Sequence, residues 1–406
     1  MSKAVSTSAH TRRNGIEPVP ELVELGAHTP LVELDTGGRA PSRHWLATGY
    51  DEVRAVLGDD RFSMLPADDG RTGGKRQIEV GNLRQYDPPE HTRLRRMLTP
   101  EFTMRRIRRL EPFIEEIVEH CLDALEGAGR PADLVRHFAW PIPGLVGCAL
   151  LGVPRDDAAE IARNLNISRT GTGFGRHTSR EERERQRAAV NAYMTYMNRL
   201  VRQKRRDPGD DLLGMLIRRH GDDLTDEELA GMSAAIMGSG LEDIGGMLGL
   251  GPLALLEHPD QLALFQDRPD LLDSAVEELI RYVSSVQNAT PRTALEDVTV
   301  GGQLIRAGES VICSLLAVSR DPAGGAPSNG VPQGTLDITR DNSGHLAFGH
   351  GVHHCIGAVL ARVELRIAIP ALLRRFPELT LAVPAEEIRF RTWTPNYGVD
   401  ELLVRW

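Results

Sequence analysis

Two stretches carry side chains that their surroundings do not explain: "HLAFGHGVHHCIGAVLARVE", His345 to Glu364, and "GSGLEDIGG", Gly238 to Gly246. In the first, a glycine-rich turn delivers Cys355 to the start of an amphipathic helical pattern. The free N–H groups and partial positive charge of a helix amino terminus favour a thiolate over a thiol. A thiolate held there is a metal ligand or a nucleophile. In the second, Glu242 and Asp243 are the charged residues of an apolar run from Met232 to Leu256 that also holds six glycines. Burying an isolated ionised carboxylate is costly, so the pair either lines a polar cavity or marks a helix end.

Three chemistries compete for Cys355. A zinc site would use His350, His353, His354 and Cys355. Ligands so crowded along the chain can hardly close a tetrahedron, because structural sites usually draw on two separated pairs. A cysteine hydrolase needs a base and an oxyanion hole, and nothing elsewhere marks them. An axial thiolate to haem iron needs one anionic sulfur, a close backbone approach to a flat macrocycle, and cationic groups for two propionates. The remaining cysteines, Cys121, Cys148 and Cys313, lie in apolar runs without CxxC spacing and read as reduced core residues.

The Cys355 stretch resembles the haem-binding loop of the cytochrome P450 family, whose pattern of Phe, two residues, Gly, three residues, Cys, one residue, Gly is met by Phe348, Gly351, Cys355 and Gly357. Other family features follow in order. "EELIR" supplies Glu278 and Arg281, a Glu-x-x-Arg pair whose spacing puts both on one helix face. "HTRLRR" places His91 and Arg95 one helical turn apart, like the family's pair facing a haem propionate, and Arg292 and His353 match two further propionate contacts. All four are cations or hydrogen-bond donors, as a buried carboxylate pair requires.

The resemblance implies haem b with the Cys355 thiolate as axial ligand. It implies a mostly α cytochrome P450 fold, a large helical part with a smaller β-sheet part, with the haem buried between the central distal helix and the helix after Cys355. The activity implied is that of an oxidoreductase, a monooxygenase or an oxidative coupling enzyme, in which the thiolate pushes electron density onto iron. The chain carries no fused flavin or iron–sulfur module, so electrons are expected from a separate ferredoxin and ferredoxin reductase, unless peroxide substitutes. "RLRRMLTPEFTMRRIRRL" holds Arg93, Arg95, Arg96, Arg105, Arg106, Arg108 and Arg109. Such runs are usually solvated helix faces, but in the family this region lies near the thiolate side, which suits docking of an acidic ferredoxin.

One departure concerns chemistry. "SGLED", Ser239 to Asp243, falls at the family's usual Ala-Gly-x-acid-Thr, so Gly240 and Glu242 keep register and Asp243 replaces the alcohol. That alcohol usually helps hold a water chain that delivers protons during dioxygen activation. With Asp in its place three readings stay open: a different water network, a hydroxyl or N–H supplied by the substrate, or an oxidative coupling that inserts no oxygen. A tolerated variant in an ordinary hydroxylase is the plain alternative. Gly in a helix interior costs roughly 1 kcal/mol relative to Ala, so Gly238, Gly240, Gly245 and Gly246 suggest close approach by haem, water or a bulky substrate. A second departure is "AGGAPSNGVPQGTLDITRD", which keeps little of the family's Pro-rich, Phe- and Arg-containing meander.

Substrate residues follow from location alone. The resemblance implies a roof from the loop before His91 and from Thr170 to His177, and walls from Met237, Gly240, Leu241, Val286, Gln287, Ala289, Thr290 and Trp393. Few are charged. This suits a small, largely apolar or aromatic natural product of bacterial secondary metabolism, with oxidative coupling of a cyclic dipeptide as the specific expectation. The alternatives are regioselective hydroxylation of a macrolide, terpenoid or similar metabolite, and a non-catalytic haem-thiolate sensor or carrier.

The elements that must position these groups are visible as periodicity. "RHWLATGYDEVRAVLGDDRF" predicts a short strand around Trp45 to Ala47 and a helix from Tyr50 to Leu57 ended by Gly58. The pattern is mostly helical from His91 to Ile217, and the run containing Glu242 reads as a buried central helix. "RTALEDVTVGGQLIRAGESVICSLLAVSRDP" alternates like strands with turns at "GG" and "AGE". The last helix is expected from Cys355 towards Phe376, with residues 356, 359, 360, 363 and 367 on one face.

Composition sets the frame. The 406 residues, 41% of them hydrophobic, suffice for a substantial core, and a single domain over 1–406 is expected, with 1–20 loosely ordered. A formal charge of -9 argues against a general nucleic-acid binder. The polar start "MSKAVSTSAHTRRNG" lacks a signal peptide's apolar core, so a cytoplasmic monomer with no membrane anchor is expected.

Overall fold

The structure is a computed structural model that describes residues 5–6, 9–35, 43–65, 78–169, 179–322, 330–341, 344–391 and 396–406. Trp393, the turn from Thr170 to His177 and residues 66–77 of the loop before His91 lie outside the described residues. Two compact units form from interleaved stretches. One comprises Met1–Ile78, Arg84–Asp87 and Leu253–Cys355; the other comprises Glu79–Leu83, Pro88–Pro252 and Ile356–Trp406.

The first unit is built on a six-stranded sheet in the order Val5–Ser6, Leu31–Asp35, His44–Ala47, Ser310–Cys313, Arg292–Ala294, Phe62–Ser63. Strand alternation divides its apolar residues between two faces. Trp45, Ala47, Val311 and Cys313 join one cluster with Val53, Val56 and Leu57, which the helix Tyr50–Gly58 presents at helical spacing. Leu46, Val32 and Leu34 pack on the other side with Leu22, Leu316 and Ala317. The strand and helix expected around Trp45 and Tyr50 are therefore present, the strand beginning at His44. In the later alternating segment, Val298–Val300 and Gln303–Ile305 form a hairpin around Gly301 and Gly302, whose φ of 53° and 78° the turn requires. "SLLAV" leaves the strand pattern, because the Ser314 side chain accepts from Ala317 N–H and caps a short helix, Leu315–Val318.

A buried ion cluster ties this unit's helix Leu272–Val283 to the segment after it. Arg281 donates to both Glu278 carboxylate oxygens at 2.7 and 2.8 Å, to Gln333 O at 2.8 Å, and to Ser319 O. Glu278 also accepts from Asp337 N–H at 2.8 Å and faces Arg340 Nε at 3.4 Å. Arg340 in turn donates to Val331 O, Pro332 O and Thr335 O. The segment that lacks the family's meander composition is thus held through carbonyl oxygens, which any side chain leaves available.

The second unit is mostly helical. Its longest element, Asp226–Glu257, contains the Glu242 run, as expected. Helix Pro141–Leu151 crosses it closely because Gly144 and Gly147 carry no side chain there: a Cβ at Gly144 would sit 3.4 Å from Leu241 Cδ1, and one at Gly147 would strike Met237 Sδ. Helix Arg180–Arg206 begins with a capping box between Ser179 and Glu182. Among the described residues, no helix is long and apolar enough to cross a membrane.

The last helix runs Ala358–Arg375, so Cys355 lies in the loop ahead of it, with Gly357 as the capping residue. Burial is not confined to one face. Leu360 and Val363 are buried as expected, but so are Ala361, Glu364, Leu365 and Ala368, whereas residues 356, 359 and 367 are half-buried. Glu364 stands out. Its Oε2 has no hydrogen-bond partner, and burial pushes its carboxyl from 4.5 up to about 8.

Because the folded state holds the proton more tightly than the unfolded chain, Glu364 contributes stability that is fully present below 4.5 and lost as pH rises towards 8. By pH 6 roughly 2 kcal/mol of it is gone. Glu364→Gln removes that dependence. The expected result of denaturant melts at pH 5, 6 and 7 is a variant whose advantage over wild type grows with pH, and a constant difference between them would refute the assignment.

Candidate haem-thiolate site and its family

In the first unit the Cys355 loop is closed by a backbone bond from Cys355 N–H to Phe348 O at 2.9 Å. Gly349 and Gly351 take φ of 75° and 70° inside it. At Gly351 a side chain is excluded twice over, by the left-handed backbone and by the Leu57 carbonyl oxygen, which a Cβ would strike. The Phe348 ring lies against His345 and His354, with centroids 5.9 and 6.3 Å away, and His345 Nε2 is fixed 3.1 Å from Glu277. Cys355 is exposed, whereas Cys121, Cys148 and Cys313 are buried, with thiols pushed up to about 12 by that burial. Cys355 is thus the cysteine whose surroundings admit an anion and a bulky ligand.

The same unit carries Arg292, buried, with Nη1 on Thr290 O at 2.7 Å, and His353, half-buried in the turn Gly351–His353. Burial pulls the Arg292 guanidinium below its ordinary range, while Cys313 and Asp87 pull the other way. Val286 and Ala289 pack on the cluster that includes Trp45, and Thr290 is exposed. Gln287 is 1% exposed, and its amide oxygen accepts from Arg13 Nε at 3.0 Å. Its side chain is therefore engaged by the amino-terminal segment.

In the second unit, helix Glu90–Leu98 buries His91 with Leu94 and Leu98 and leaves Arg95 half-buried. The seven arginines of this region divide by role. Arg93 pairs with Glu90 at 2.6 Å and with Glu228, and Arg106 pairs with buried Glu101 at 2.8 Å. Arg96, Arg105, Arg108 and Arg109 are exposed. On the long helix, Glu242 is buried and Asp243 half-buried. One residue reaches both: Asn396 Nδ2 donates to Glu242 Oε2 at 3.0 Å and to Asp243 Oδ1 at 2.6 Å. A Cβ at Gly240 would meet nothing within 4 Å, whereas Met237 and Leu241 are each 2% exposed and face the glycines of helix Pro141–Leu151. Met237 and Leu241 thus pack where the two helices cross.

These groups fit a haem. The loop bares one cysteine and excludes side chains where backbone must come close, and its own unit carries Arg292 and His353, donors suited to a propionate. Comparison with known proteins agrees along nearly the whole chain. The cytochrome P450 family model matches residues 261–389. Cytochrome P450 165A3 of Amycolatopsis orientalis is 45% identical over 97% of this chain and 96% of its own.

The chain belongs to the cytochrome P450 family.

Solved P450 structures share its fold. OxyE, a P450 involved in teicoplanin biosynthesis, matches with TM-score 0.87 and 44% identity, covering 98% of this chain and 99% of that one. OxyC, a P450 implicated in an oxidative C–C coupling reaction during vancomycin biosynthesis, matches with TM-score 0.87 and 41% identity, covering 100% and 99%. As a P450 this protein is an oxidoreductase of the monooxygenase class, whose cofactor is haem with a cysteine thiolate ligand.

Two residues important to this P450 escape a reading by motif. Arg340 completes the Glu278–Arg281 cluster from a segment of turn-forming residues, and its one sequence signal is a lone arginine in "ITRD". Asn396 carries no signal, since an asparagine in a terminal tail is an ordinary surface residue.

Proposed function

We propose that this P450 couples aromatic groups of a peptide-like natural product oxidatively, with an aromatic cyclic dipeptide or a longer aromatic peptide as substrate. The observation that carries this reading is the adjacent pair Glu242 and Asp243, where a carboxylate stands in place of the family's alcohol. Coupling removes hydrogen atoms or electrons and inserts no oxygen, so both atoms of dioxygen leave as water, and two adjacent acids suit the proton supply that this takes. Similarity to OxyC, itself implicated in an oxidative C–C coupling, supports the same reading.

Haem b, bound through Cys355, supplies the oxidising chemistry. Phe348, Gly351 and Gly357 shape the loop that presents the sulfur. Arg292, His353, His91 and Arg95 are the residues that would pair with haem propionates. Glu242 and Asp243 hold water and hand protons inward, with Gly240 leaving room beside them. Val286, Ala289, Thr290 and Trp393 are the proposed substrate contacts. The exposed Arg96, Arg105, Arg108 and Arg109 receive an acidic ferredoxin, which its reductase recharges, so electron transfer should weaken with added salt.

Incubation with a ferredoxin system and a panel of aromatic cyclic dipeptides and aromatic peptides tests the proposal, with products read by mass spectrometry. Loss of two hydrogens or a dimeric mass is the expected result, whereas a gain of one oxygen throughout overturns it in favour of hydroxylation. That second reading draws on the Asp243–Asn396 contact, since a carboxylate fixed in a polar network can also order water.

A further inference from the structure

We infer that Asn396 is a positioning residue that locks Glu242 and Asp243 into one hydrogen-bonded unit, an inference that deepens the proposed role of these acids in proton delivery and rests on it. Consecutive side chains leave a helix about 100° apart, so two neighbouring carboxyls diverge unless something gathers them. A single –NH₂ group does so here, with one proton for each carboxylate.

The element that carries Asn396 is itself fixed. Phe390–Arg391 pairs antiparallel with Gly398–Val399, and the Phe390 and Tyr397 rings stack at 5.4 Å. Arg391 lies over the Trp140 ring at 4.7 Å, donates to Val399 O at 3.1 Å and faces Asp400 at 3.5 Å. Gly398 leaves room for that guanidinium, and Trp140 packs against Gly245, one helical turn from Leu241 and Glu242. The charged groups at this contact are thus Glu242 and Asp243 on the helix and Arg391 and Asp400 on the hairpin.

The chemistry of the amide matters. Asn donates to both acids yet takes up no proton itself, so it orders them without competing for the protons they pass. A lysine or arginine in its place would pin both carboxylates as a salt bridge. An aspartate would add a third acceptor and leave the pair without its shared donor.

The test uses haem-loaded protein with Asn396→Ala, Asn396→Asp and Asn396→Gln. Asn396→Ala and Asn396→Asp should lower kcat about 10-fold or more, in the range of lost proton-transfer assistance. They should also raise the share of reducing equivalents released as peroxide and shift the pH profile of kcat, while substrate affinity, read from the Soret shift, stays near wild type. Asn396→Gln, which keeps the amide, should recover part of kcat.

A second readout needs no turnover. In unfolding melts, Asn396→Ala should cost less in an Asp243→Ala background than alone. Additive unfolding effects, or an Asn396→Asp enzyme with wild-type peroxide share and pH profile, would overturn the inference. Product mass decides between coupling and hydroxylation separately, and loss of the haem-thiolate spectrum in wild type would refute the cofactor reading instead.

Discussion

Replacing Cys355 with alanine is expected to reduce turnover to background and to abolish the red-shifted Soret band that the reduced, carbon monoxide-bound form of a haem-thiolate protein shows. The thiolate is the electron-donating ligand, and no other sulfur can stand in for it. Cys121, Cys148 and Cys313 are buried, with thiols pushed up to about 12, so they stay protonated at neutral pH and are enclosed by apolar side chains.

The protein should still fold. Cys355 is exposed and joins neither apolar cluster of its unit, and the bond that closes its loop is made by backbone atoms, which alanine retains. Absorption spectra with carbon monoxide after reduction, together with circular dichroism, check both halves. A serine or alanine variant that keeps the thiolate-type band would remove Cys355 from the role of ligand.

Arg281→Ala is expected to destabilise the protein by about 3–5 kcal/mol, the usual cost of stripping one partner from a buried ion pair. Glu278 is fully buried and would lose the two-pronged contact at 2.7 and 2.8 Å, keeping the longer approach of Arg340 at 3.4 Å. The carbonyl oxygens of Ser319 and Gln333 would lose their donor as well. Lysine should rescue little, because an ammonium cannot span both carboxylate oxygens and the carbonyls at once.

Denaturant midpoints measure the loss, and haem retention should fall with it, since the cluster fixes the segment before the cysteine loop. Exposed Arg375, which meets Glu119, Asp123 and Glu126 on the surface, provides the contrast. Its removal should leave the midpoint nearly unchanged, because solvent already screens those pairs. Equal effects at the two positions would mean that burial does not set the worth of the Glu278 cluster.

Some of this was open to a reader of the chain. The spacing of Phe348, Gly351, Cys355 and Gly357 is a local pattern, because the turn it encodes is closed by backbone atoms a few residues apart. Glu278 and Arg281 are read the same way, as neighbours on one helical turn. The strand at His44–Ala47 and the helix Tyr50–Gly58 follow from periods of two and of three to four, which repeat within a dozen residues.

Other features join residues too far apart to leave such a trace. The glycines of helix Pro141–Leu151 let that helix approach Met237 and Leu241, roughly a hundred positions further along the chain. Gln287 faces Arg13, 274 positions away along the chain. Arg340 reaches Glu278 across 62 positions.

Residue spacing was enough to mark the cysteine loop and the two acids on the long helix, and the family followed from what that loop resembles, because chemistry of that kind is written in short-range pattern. Which atoms those acids meet was decided by the fold. Asn396 comes to Asp243 across 153 positions only when the terminal hairpin has closed and seated Arg391 on Trp140. Periodicity records which side of an element faces inward. The partner found there depends on how distant elements pack.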